Sequence, residues 1–281
     1  MTTATNRALV LGCGPAGLIA AHALRWHLKM EVVIVSTKRK SELFGCQYLH
    51  EPIPGLGTLP KADVSYIVSG GDDDYQKKVY GDRRLPVPAS TQLFRGVSQA
   101  WDIREAYRRL WDRYEHRITN WTFGPQNIAQ IVQTYDPDFT FTSVPLPSFC
   151  QAGDQHDFDF IKCWAIGDAP ERGQRVPVHV PENTVQCNGT KDTGWYRAAN
   201  VFGYKTVEWP GTKPKPPIEG VVEFLKPIST TCTCYPGIHR IGRMGTWKKG
   251  VLAHHVYSDV VNYVTSRRNA PADHSNDFEA V

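Results

Sequence analysis

Long apolar segments are missing from this sequence of 281 residues. No run approaches the roughly 20 apolar residues that a helix needs to cross a bilayer. The first ten residues also lack the basic segment, apolar segment and small-residue cleavage site that together mark a secretion signal. We therefore expect no membrane association, and the hydrophobic content of 41% is ordinary for a folded domain.

A strong excess of charge of one sign is also missing. The chain has 32 Lys and Arg against 28 Asp and Glu, a net charge of +4. This excess is too small to indicate a nucleic-acid binder without a localised basic patch. The most arginine-rich segment, residues 98–116, interleaves Asp and Glu with its arginines, as ion-paired helices on a protein surface do. Direct binding to nucleic acid is therefore not indicated.

The seven cysteines form no regular pattern. Their number is odd and no CxxC pair occurs, so neither a disulfide framework nor a zinc ribbon is indicated. Cys232 and Cys234 alternate in a strand-like segment, where we expect buried side chains on one face and not metal ligands. The sequence thus predicts no metal site and a reducing compartment, the cytoplasm, or the host cytoplasm if the protein is viral.

A glycine-rich motif stands near the start of the chain, in "ALVLGCGPAGLIAAHAL". Residues 8–12 form a short apolar run typical of a buried parallel strand, and the residues after the motif carry apolar side chains at helical spacing. Gly12, Gly14 and Gly17 form GxGxxG between the two elements. The first glycine permits a tight turn, the second lets the backbone approach a pyrophosphate, and the third lets helix and strand pack closely.

The helix after the motif begins at Pro15 and Ala16, and its free N-terminal amide groups are suited to bind phosphate. A second apolar strand follows at residues 31–35. A strand, a helix and a strand within about 30 residues form a βαβ unit, whose crossover is right-handed. This context predicts a dinucleotide at the glycine loop and an α/β fold with a mainly parallel sheet.

An acidic residue is missing after the second strand, where a dinucleotide-binding fold usually binds a ribose diol. Ser36, Thr37 and Lys38 stand there, followed by further basic residues. Hydroxyl and basic groups suit the 2′-phosphate of NADPH, whereas a ribose held by the Ser36 or Thr37 hydroxyl also allows FAD. The motif by itself does not choose between the two cofactors.

The remainder of the chain alternates helices, strands and proline-rich loops. Periodicity predicts an amphipathic helix over 98–116, a second helix with Pro125 near its first turn that runs through Ile128, Ile131 and Val132, and a closing helix over 250–268. Strands are predicted in "DFTFTSVPLP", 158–166, "WYRAANVFGYKTVEWP" and "GVVEFLKPI". The polar residues 270–281 predict a disordered tail.

Three further segments, "GCQYLHEPIPG", "DFTFTSVPLP" and "RIGRMGTWKKGVLAHHVYSDVV", carry a resemblance to a known family. Together with the glycine loop, they resemble the FAD-binding parts of the amine-oxidase and UDP-galactopyranose-mutase superfamily. The resemblance implies FAD and a Rossmann-like FAD-binding fold in a single domain, 1–269. The small, discontinuous substrate region would come from about 55–120 and 150–235. The chain departs from the family in lacking the ribose acid and in its short length.

The resemblance also implies which residues meet the cofactor. The loop after the second strand would run along the flavin, a strand would end beside it, and the glycine–arginine pair of the last segment would lie near the pyrophosphate. The implied cofactor-binding residues are Gly12, Gly14, Pro15, Ala16, Gly17, Ser36, Thr37, Lys38, Gly45, Cys46, Gln47, Tyr48, Pro145, Gly242, Arg243 and Trp247.

Tyr48 and His50 follow the flavin loop and are the candidate catalytic residues, because an imidazole can transfer protons near neutral pH. The resemblance implies an FAD-dependent oxidoreductase that oxidises a C–N bond of an amine or amino-acid-like substrate by hydride transfer. Three alternatives remain: a non-redox enzyme resembling UDP-galactopyranose mutase, a bacteriophage DNA-hypermodification enzyme acting on an amino-acid-substituted thymine, and a non-catalytic nucleotide-binding protein. The expected partner is a small molecule or a modified nucleobase, and the oligomeric state is not indicated.

Overall fold

The computed structural model describes most of the chain. The described residues are 6–81, 93–122, 124–152, 155–167, 175–214 and 217–269. The tail that the sequence predicts to be disordered, 270–281, lies outside them. No helix in this part of the chain is long and apolar enough to span a membrane.

The described part of the chain begins with helices among its strands and continues with a run of six strands. In order, the helices and strands are β1 (Arg7–Leu11), α1 (Pro15–His22), β2 (Glu31–Ser36), β3 (Lys61–Ser69), α2 (Asp72–Tyr80), β4 (Gly96–Trp101), α3 (Ile103–Tyr114), β5 (Ile118–Asn120), α4 (Ile128–Tyr135), β6 (Phe139–Thr142), β7 (Phe158–Gly167), β8 (Thr184–Asn188), β9 (Arg197–Val201), β10 (Tyr204–Pro210), β11 (Val222–Thr230), β12 (Ile238–Arg240), α5 (Gly242–Thr246) and α6 (His255–Asn269).

One sheet is parallel and contains the predicted βαβ unit. Its five strands lie in the order β12-β6-β1-β2-β5. Side chains of β1 alternate between two apolar cores: Ala8 and Val10 pack with α1, α3 and α6, whereas Leu9 and Leu11 pack with α4. Because parallel strands are covered on both faces, β1 has no polar alternation. The predicted α/β fold, with a parallel sheet at the glycine loop, is confirmed.

The second sheet has seven strands in the order β11-β7-β10-β9-β8-β3-β4. All of its pairings are antiparallel except that of β3 with β8. Its strands come from 61–101 and 158–230, within the segments from which the sequence predicts the substrate region. In contrast, α3 and β5, which also fall within 55–120, pack with the parallel sheet.

The closing segment returns to the glycine loop. Strand β12 pairs with β6 in the parallel sheet, and the chain then turns into α5 at Gly242. This glycine has a φ of +66°, and a Cβ there would lie 2.6 Å from the Cβ of Ala16. The α5 segment and the first turn of α1 therefore meet in direct contact.

The helix that the sequence predicts over 98–116 is shorter, since it begins at Ile103. Residues 96–101 form β4, which pairs with β3. The carboxylate of Asp102 accepts hydrogen bonds from the backbone N–H groups of Arg104 (2.8 Å) and Glu105 (3.3 Å). An aspartate at this position satisfies two of the free amides at a helix start, and it therefore sets the boundary between strand and helix.

Replacing this cap should destabilise the fold. We expect Asp102→Ala to lower the free energy of unfolding by about 1 kcal/mol, because the amides of the first turn lose their acceptor. Chemical denaturation followed by circular dichroism measures the change. Asp112→Ala is the control, because Asp112 lies on the same helix in an exposed ion pair with Arg108. Equal losses in the two variants would contradict the capping role.

Candidate functional site

A cleft of about 1030 Å³ is lined by residues of both sheets. This volume is at the upper end of small-molecule sites, roughly 300–1,000 Å³. The glycine loop and the start of α1 line one part of it, and strands β3, β8, β9, β10 and β11 line another. The predicted site residues that line the cleft are Gly12, Gly14, Pro15, Ala16, Ser36, Thr37, Cys46, Gln47, Tyr48, His50, Pro145, Gly242 and Arg243.

The three glycines of the loop have different reasons to be glycine. Gly12 has a φ of +99°, and a Cβ there would lie 2.6 Å from Ser143 Oγ. A Cβ on Gly17 would lie 2.0 Å from the carbonyl oxygen of Gly12, so Gly17 packs against the loop and does not line the cleft. A Cβ on Gly14 would meet only Ser41 Oγ, at 3.5 Å. The fold therefore requires the first and third glycines, whereas the second leaves open space in the cleft.

The start of α1 offers unpaired donors to this space. Gly14 is the N-cap residue and has no side chain that could accept a hydrogen bond from the first turn. The first turn also contains no acidic residue. A helix start of this kind favours the binding of an anion, because its free N–H groups and the positive end of its dipole face the ligand.

The polar residues at the end of β2 and after it differ in whether they line the cleft. Ser36 and Thr37 line the cleft. Lys38 is exposed, has a φ of +50° and does not line it. Arg39 and Lys40 do line the cleft, although the family resemblance implies Lys38 as the cofactor-binding residue. The left-handed backbone at Lys38 turns its side chain away and presents the next two cations to the cleft.

Tyr107 holds this segment against the glycine loop. Its hydroxyl donates to the carbonyl oxygen of Cys13 at 3.0 Å and accepts from the backbone N–H of Ser41 at 3.0 Å. Tyr107 belongs to α3 and is buried. The amphipathic helix α3 thus positions both loops that line this part of the cleft.

Arg243 carries a buried donor that lacks an acceptor. The side chain lines the cleft, and its Nε atom has no hydrogen-bond partner among the described residues. An unsatisfied buried donor costs about 1–3 kcal/mol. Trp247, from the same closing motif, does not line the cleft: it is buried in the core, and its ring N–H donates to the carbonyl oxygen of Asp159 at 3.1 Å. Arg243 therefore marks a place for an acceptor in the cleft.

The loop at 45–48 is anchored by a buried carboxylate. The backbone N–H of Cys46 donates to Glu208 Oε1 at 2.9 Å. Gly45 has a φ of +75°, and a Cβ there would lie 2.7 Å from the same oxygen. Gly45 does not line the cleft, but it allows the loop to approach Glu208, which presents Cys46, Gln47 and Tyr48 to the cleft.

Glu208 is fully buried and ion-paired on both oxygens. Arg197 donates to Oε1 from Nε at 2.9 Å and from Nη2 at 2.5 Å. Lys226 donates to Oε2 at 2.8 Å, and the Tyr196 hydroxyl bonds to the same oxygen and to Lys226. Two cations around one carboxylate leave an excess of positive charge, and Arg197, Glu208 and Lys226 all line the cleft.

Burial and neighbouring charges together lower the pKa values of Glu208 and Lys226 in this network. Burial alone would raise the pKa of Glu208, but the charges of Arg197 and Lys226 outweigh it and hold that pKa well below its usual range. Burial, with the charge of Arg197, lowers the pKa of Lys226 to about 8. Lys226 can therefore gain or lose a proton near physiological pH, whereas Glu208 stays ionised.

His50 lines the cleft beside a second histidine. Its ring centroid lies 4.9 Å from that of Tyr48 and 5.5 Å from that of His254. Burial lowers the pKa of His50, and burial together with the neighbouring histidines lowers the pKa of His254 to about 4. Both rings are thus neutral at pH 7, and His50 can accept or donate a hydrogen bond without carrying a fixed charge.

Sequence reasoning missed Arg197, Glu208 and Lys226. Each is a charged residue within a largely apolar strand segment, in "YRAANV", "TVEWP" and "FLKPI". A charge at a buried strand position indicates a buried partner, because an isolated charge there is too costly. The direct pairing of Arg197 with Glu208 across β9 and β10 follows from the hairpin register.

Comparisons with known proteins identify the fold. No protein-family model matches the sequence, and no curated protein is significantly similar to it. The structure is similar to that of reduced UDP-galactopyranose mutase, with a TM-score of 0.55 and 11% identity over 94% of this chain and 96% of that one.

Two other solved structures are similar. BrvH, a flavin-dependent halogenase from Brevundimonas sp. BAL3, has a TM-score of 0.54 and 11% identity over 95% of this chain and 73% of its own. A mutant of 2-methyl-3-hydroxypyridine-5-carboxylic acid oxygenase has a TM-score of 0.53 and 13% identity over 95% and 84%. At these identities, the similarity shows a shared fold: the chain has the fold of these three proteins.

Proposed function

We propose that this chain binds FAD in the cleft and is a flavin-dependent oxidoreductase that oxidises a C–N bond of an amino-acid-like amine. The observation that carries the proposal is the composition of the cleft. The cleft contains a glycine loop whose middle residue, Gly14, has no reason within the described protein to lack a side chain. It also contains the Nε atom of Arg243, which has no hydrogen-bond partner among the described residues, and the buried cations around Glu208. The flavin-dependent halogenase with the same fold supports the choice of flavin.

The residues present fit a dinucleotide. The amides at the start of α1 would bind the pyrophosphate, and the absence of a side chain on Gly14 would let the backbone approach it. Arg243 Nε would gain the acceptor that it lacks within the described protein. The hydroxyls of Ser36 and Thr37 would take the place of the usual acid and bind the ribose.

The catalytic end would be formed by the loop at 45–48 and the buried network. A bound flavin would supply the acceptor for the hydride. Cys46 and Tyr48 would lie along the ring, and His50 beside Tyr48 would serve as a hydrogen-bonding group. Lys226, with a pKa of about 8, would remove or return the proton of the substrate amine.

The cleft lining favours a substrate with an anionic group and an apolar body. Arg197 and Lys226 provide positive charge in excess of Glu208. Tyr66, Phe224 and Val185 provide apolar and aromatic surface around them. An amino acid meets both requirements through its carboxylate and its side chain, and an amino-acid substituent on a modified nucleobase presents the same groups.

A valine at position 14 tests the cofactor. We expect the purified wild-type protein to be yellow with an oxidised-flavin spectrum and to release FAD on denaturation. Gly14→Val should lose FAD, because its side chain fills the space meant for phosphate, yet it should unfold at the same temperature as the apo wild-type protein, since the fold leaves room there.

Gly17→Ala is the matched control. Its Cβ would collide with the Gly12 carbonyl oxygen, so the variant should unfold at a lower temperature than the apo wild-type protein. A colourless wild-type protein that yields no nucleotide on extraction would favour the non-catalytic alternative. Full FAD occupancy in Gly14→Val would refute the placement of the pyrophosphate.

The two cations that line the cleft after β2 distinguish FAD from NADPH. The double variant Arg39→Ala, Lys40→Ala should keep an FAD dissociation constant within about tenfold of wild type, or about 1.4 kcal/mol. A 2′-phosphate would instead lose two charge-assisted contacts of about 1.5–3 kcal/mol each. Equilibrium binding of each dinucleotide to apo protein measures the difference. Lys38→Ala, outside the cleft, is the control, and tight NADPH binding that the double variant abolishes would contradict the choice of FAD.

The pH dependence of flavin reduction tests Lys226. With an amine substrate under anaerobic conditions, the reduction rate should rise through an apparent pKa of about 8, because the neutral lysine accepts the substrate proton. Lys226→Met should remove this rising limb, and Lys226→Arg should also remove it while keeping the positive charge. An unchanged limb in Lys226→Met would assign the titration to the substrate amine.

The same anaerobic experiment separates the reaction classes. Bleaching of the flavin by an amine or amino acid, without added reductant, supports an oxidoreductase. No bleaching by any amine, together with conversion of a sugar nucleotide only after chemical reduction of the flavin, supports the mutase alternative.

A further inference from the structure

A cluster of cysteine and histidine side chains lies outside the cleft. The donor atoms of Cys150, His156, Cys232 and Cys234 all lie within 4.8 Å of one another. The sequence places Cys232 and Cys234 in a strand, but β11 ends at Thr230 and both lie in the connection that follows. That connection brings them to Cys150 and His156, which are about 80 residues away in the chain.

Four of the distances within the cluster are close to the edges of a tetrahedral metal site. Cys150 Sγ lies 3.7 Å from Cys232 Sγ and 3.9 Å from Cys234 Sγ. The Nδ1 atom of His156 lies 3.2 Å from Cys150 Sγ and 3.7 Å from Cys234 Sγ. A tetrahedral Zn²⁺ ion has sulfur ligands at about 2.3 Å and nitrogen at about 2.0 Å, which gives edges of about 3.8 Å between sulfurs and about 3.5 Å between sulfur and nitrogen.

A cationic side chain lies beside the cluster. A donor of this kind is typical of the groups that orient metal-bound cysteines.

The nearby cation is Arg240. Its Nη2 atom lies 3.7 Å from Cys232 Sγ. Its guanidinium also donates to the backbone carbonyls of Cys232 at 2.7 Å and Cys234 at 2.6 Å, which fixes the loop that carries both cysteines. Three thiolates around a divalent ion leave one negative charge, and Arg240 balances it.

The cluster stands where the chain crosses between the two sheets. Cys150 follows β6 of the parallel sheet and His156 precedes β7 of the second sheet. Cys232 and Cys234 follow β11 of the second sheet and precede β12 of the parallel sheet. Each of these connections supplies two of the four ligands, so an ion bound here would join them at a single point.

We propose that Cys150, His156, Cys232 and Cys234 bind one structural Zn²⁺ ion that fastens the two sheets together. Soft thiolate ligands with one imidazole select zinc, and four protein ligands leave no open position for a substrate or water. The connection after β6 contains Pro145, and β11, which leads into the other connection, contains Lys226; both residues line the cleft. The ion therefore supports the shape of the cleft without taking part in its chemistry.

Metal analysis of the full-length, untagged protein tests the proposal. Protein expressed with zinc in the medium should contain about one zinc ion per chain by elemental mass spectrometry. Cys232→Ser and Cys234→Ser should each reduce the zinc content several-fold. Cys163→Ser is the control, since Cys163 is a buried cysteine outside the cluster, and its zinc content should equal that of wild type.

A second measurement uses only the wild-type chain, so it holds even if the variants do not fold. Titration of the folded protein with a mercurial reagent should release one equivalent of zinc to a chromogenic indicator as the cluster thiols react. Replacement by Co²⁺ should give the d–d absorption of a tetrahedral thiolate site at wavelengths longer than those of oxidised flavin. Zinc-free protein from zinc-supplied cells, a disulfide among these cysteines, or zinc retained in both serine variants would overturn the proposal.

Discussion

The buried carboxylate of Glu208 is the interaction on which the geometry of the cleft depends. It binds Arg197 of β9, Lys226 of β11 and the backbone of Cys46, and so ties the second sheet to a loop that leaves the parallel sheet. Removing one partner from such a buried pair costs about 3–5 kcal/mol, because the remaining charge has no water to solvate it. The network is therefore fully paired, and its excess positive charge faces the cleft.

The glycine loop makes the corresponding constraint in the parallel sheet. Gly17 lies against the Gly12 carbonyl oxygen, and Gly242 lies against Ala16, so strand, helix and closing segment approach more closely than side chains would allow. These contacts are internal to the protein and would persist without a ligand. Gly14 differs, because only an object in the cleft would require its lack of a side chain. This contrast separates the glycines that build the fold from the one that serves binding.

Two kinds of crosslink span the boundary between the sheets. At the cleft, Cys46 and Glu208 meet through a backbone hydrogen bond. In the connections from β6 to β7 and from β11 to β12, the cysteines and the histidine of the proposed zinc site bring the two chain segments together. A cofactor that touches both sheets needs them in a fixed relation, since a misplacement of about 1 Å at a reacting group can cost a hundredfold in rate. The hydrogen bond to Glu208 and the proposed zinc site would each hold the two sheets at a fixed position relative to each other.

The sequence alone determined the βαβ unit and the glycine loop, because each rests on neighbouring residues with a strong local signal, whereas the return of the closing motif was implied only by the resemblance to a known family. The sequence misjudged the start of α3, since the strand before Asp102 is fixed by pairing with β3. Only the tertiary structure decided that Arg39 and Lys40 face the cleft where Lys38 does not, that Glu208 binds Lys226, and that Cys150 meets Cys232. These contacts join segments that are far apart in the chain. The order of the strands and the paths of the loops bring those segments together, and no short stretch of sequence encodes either of them.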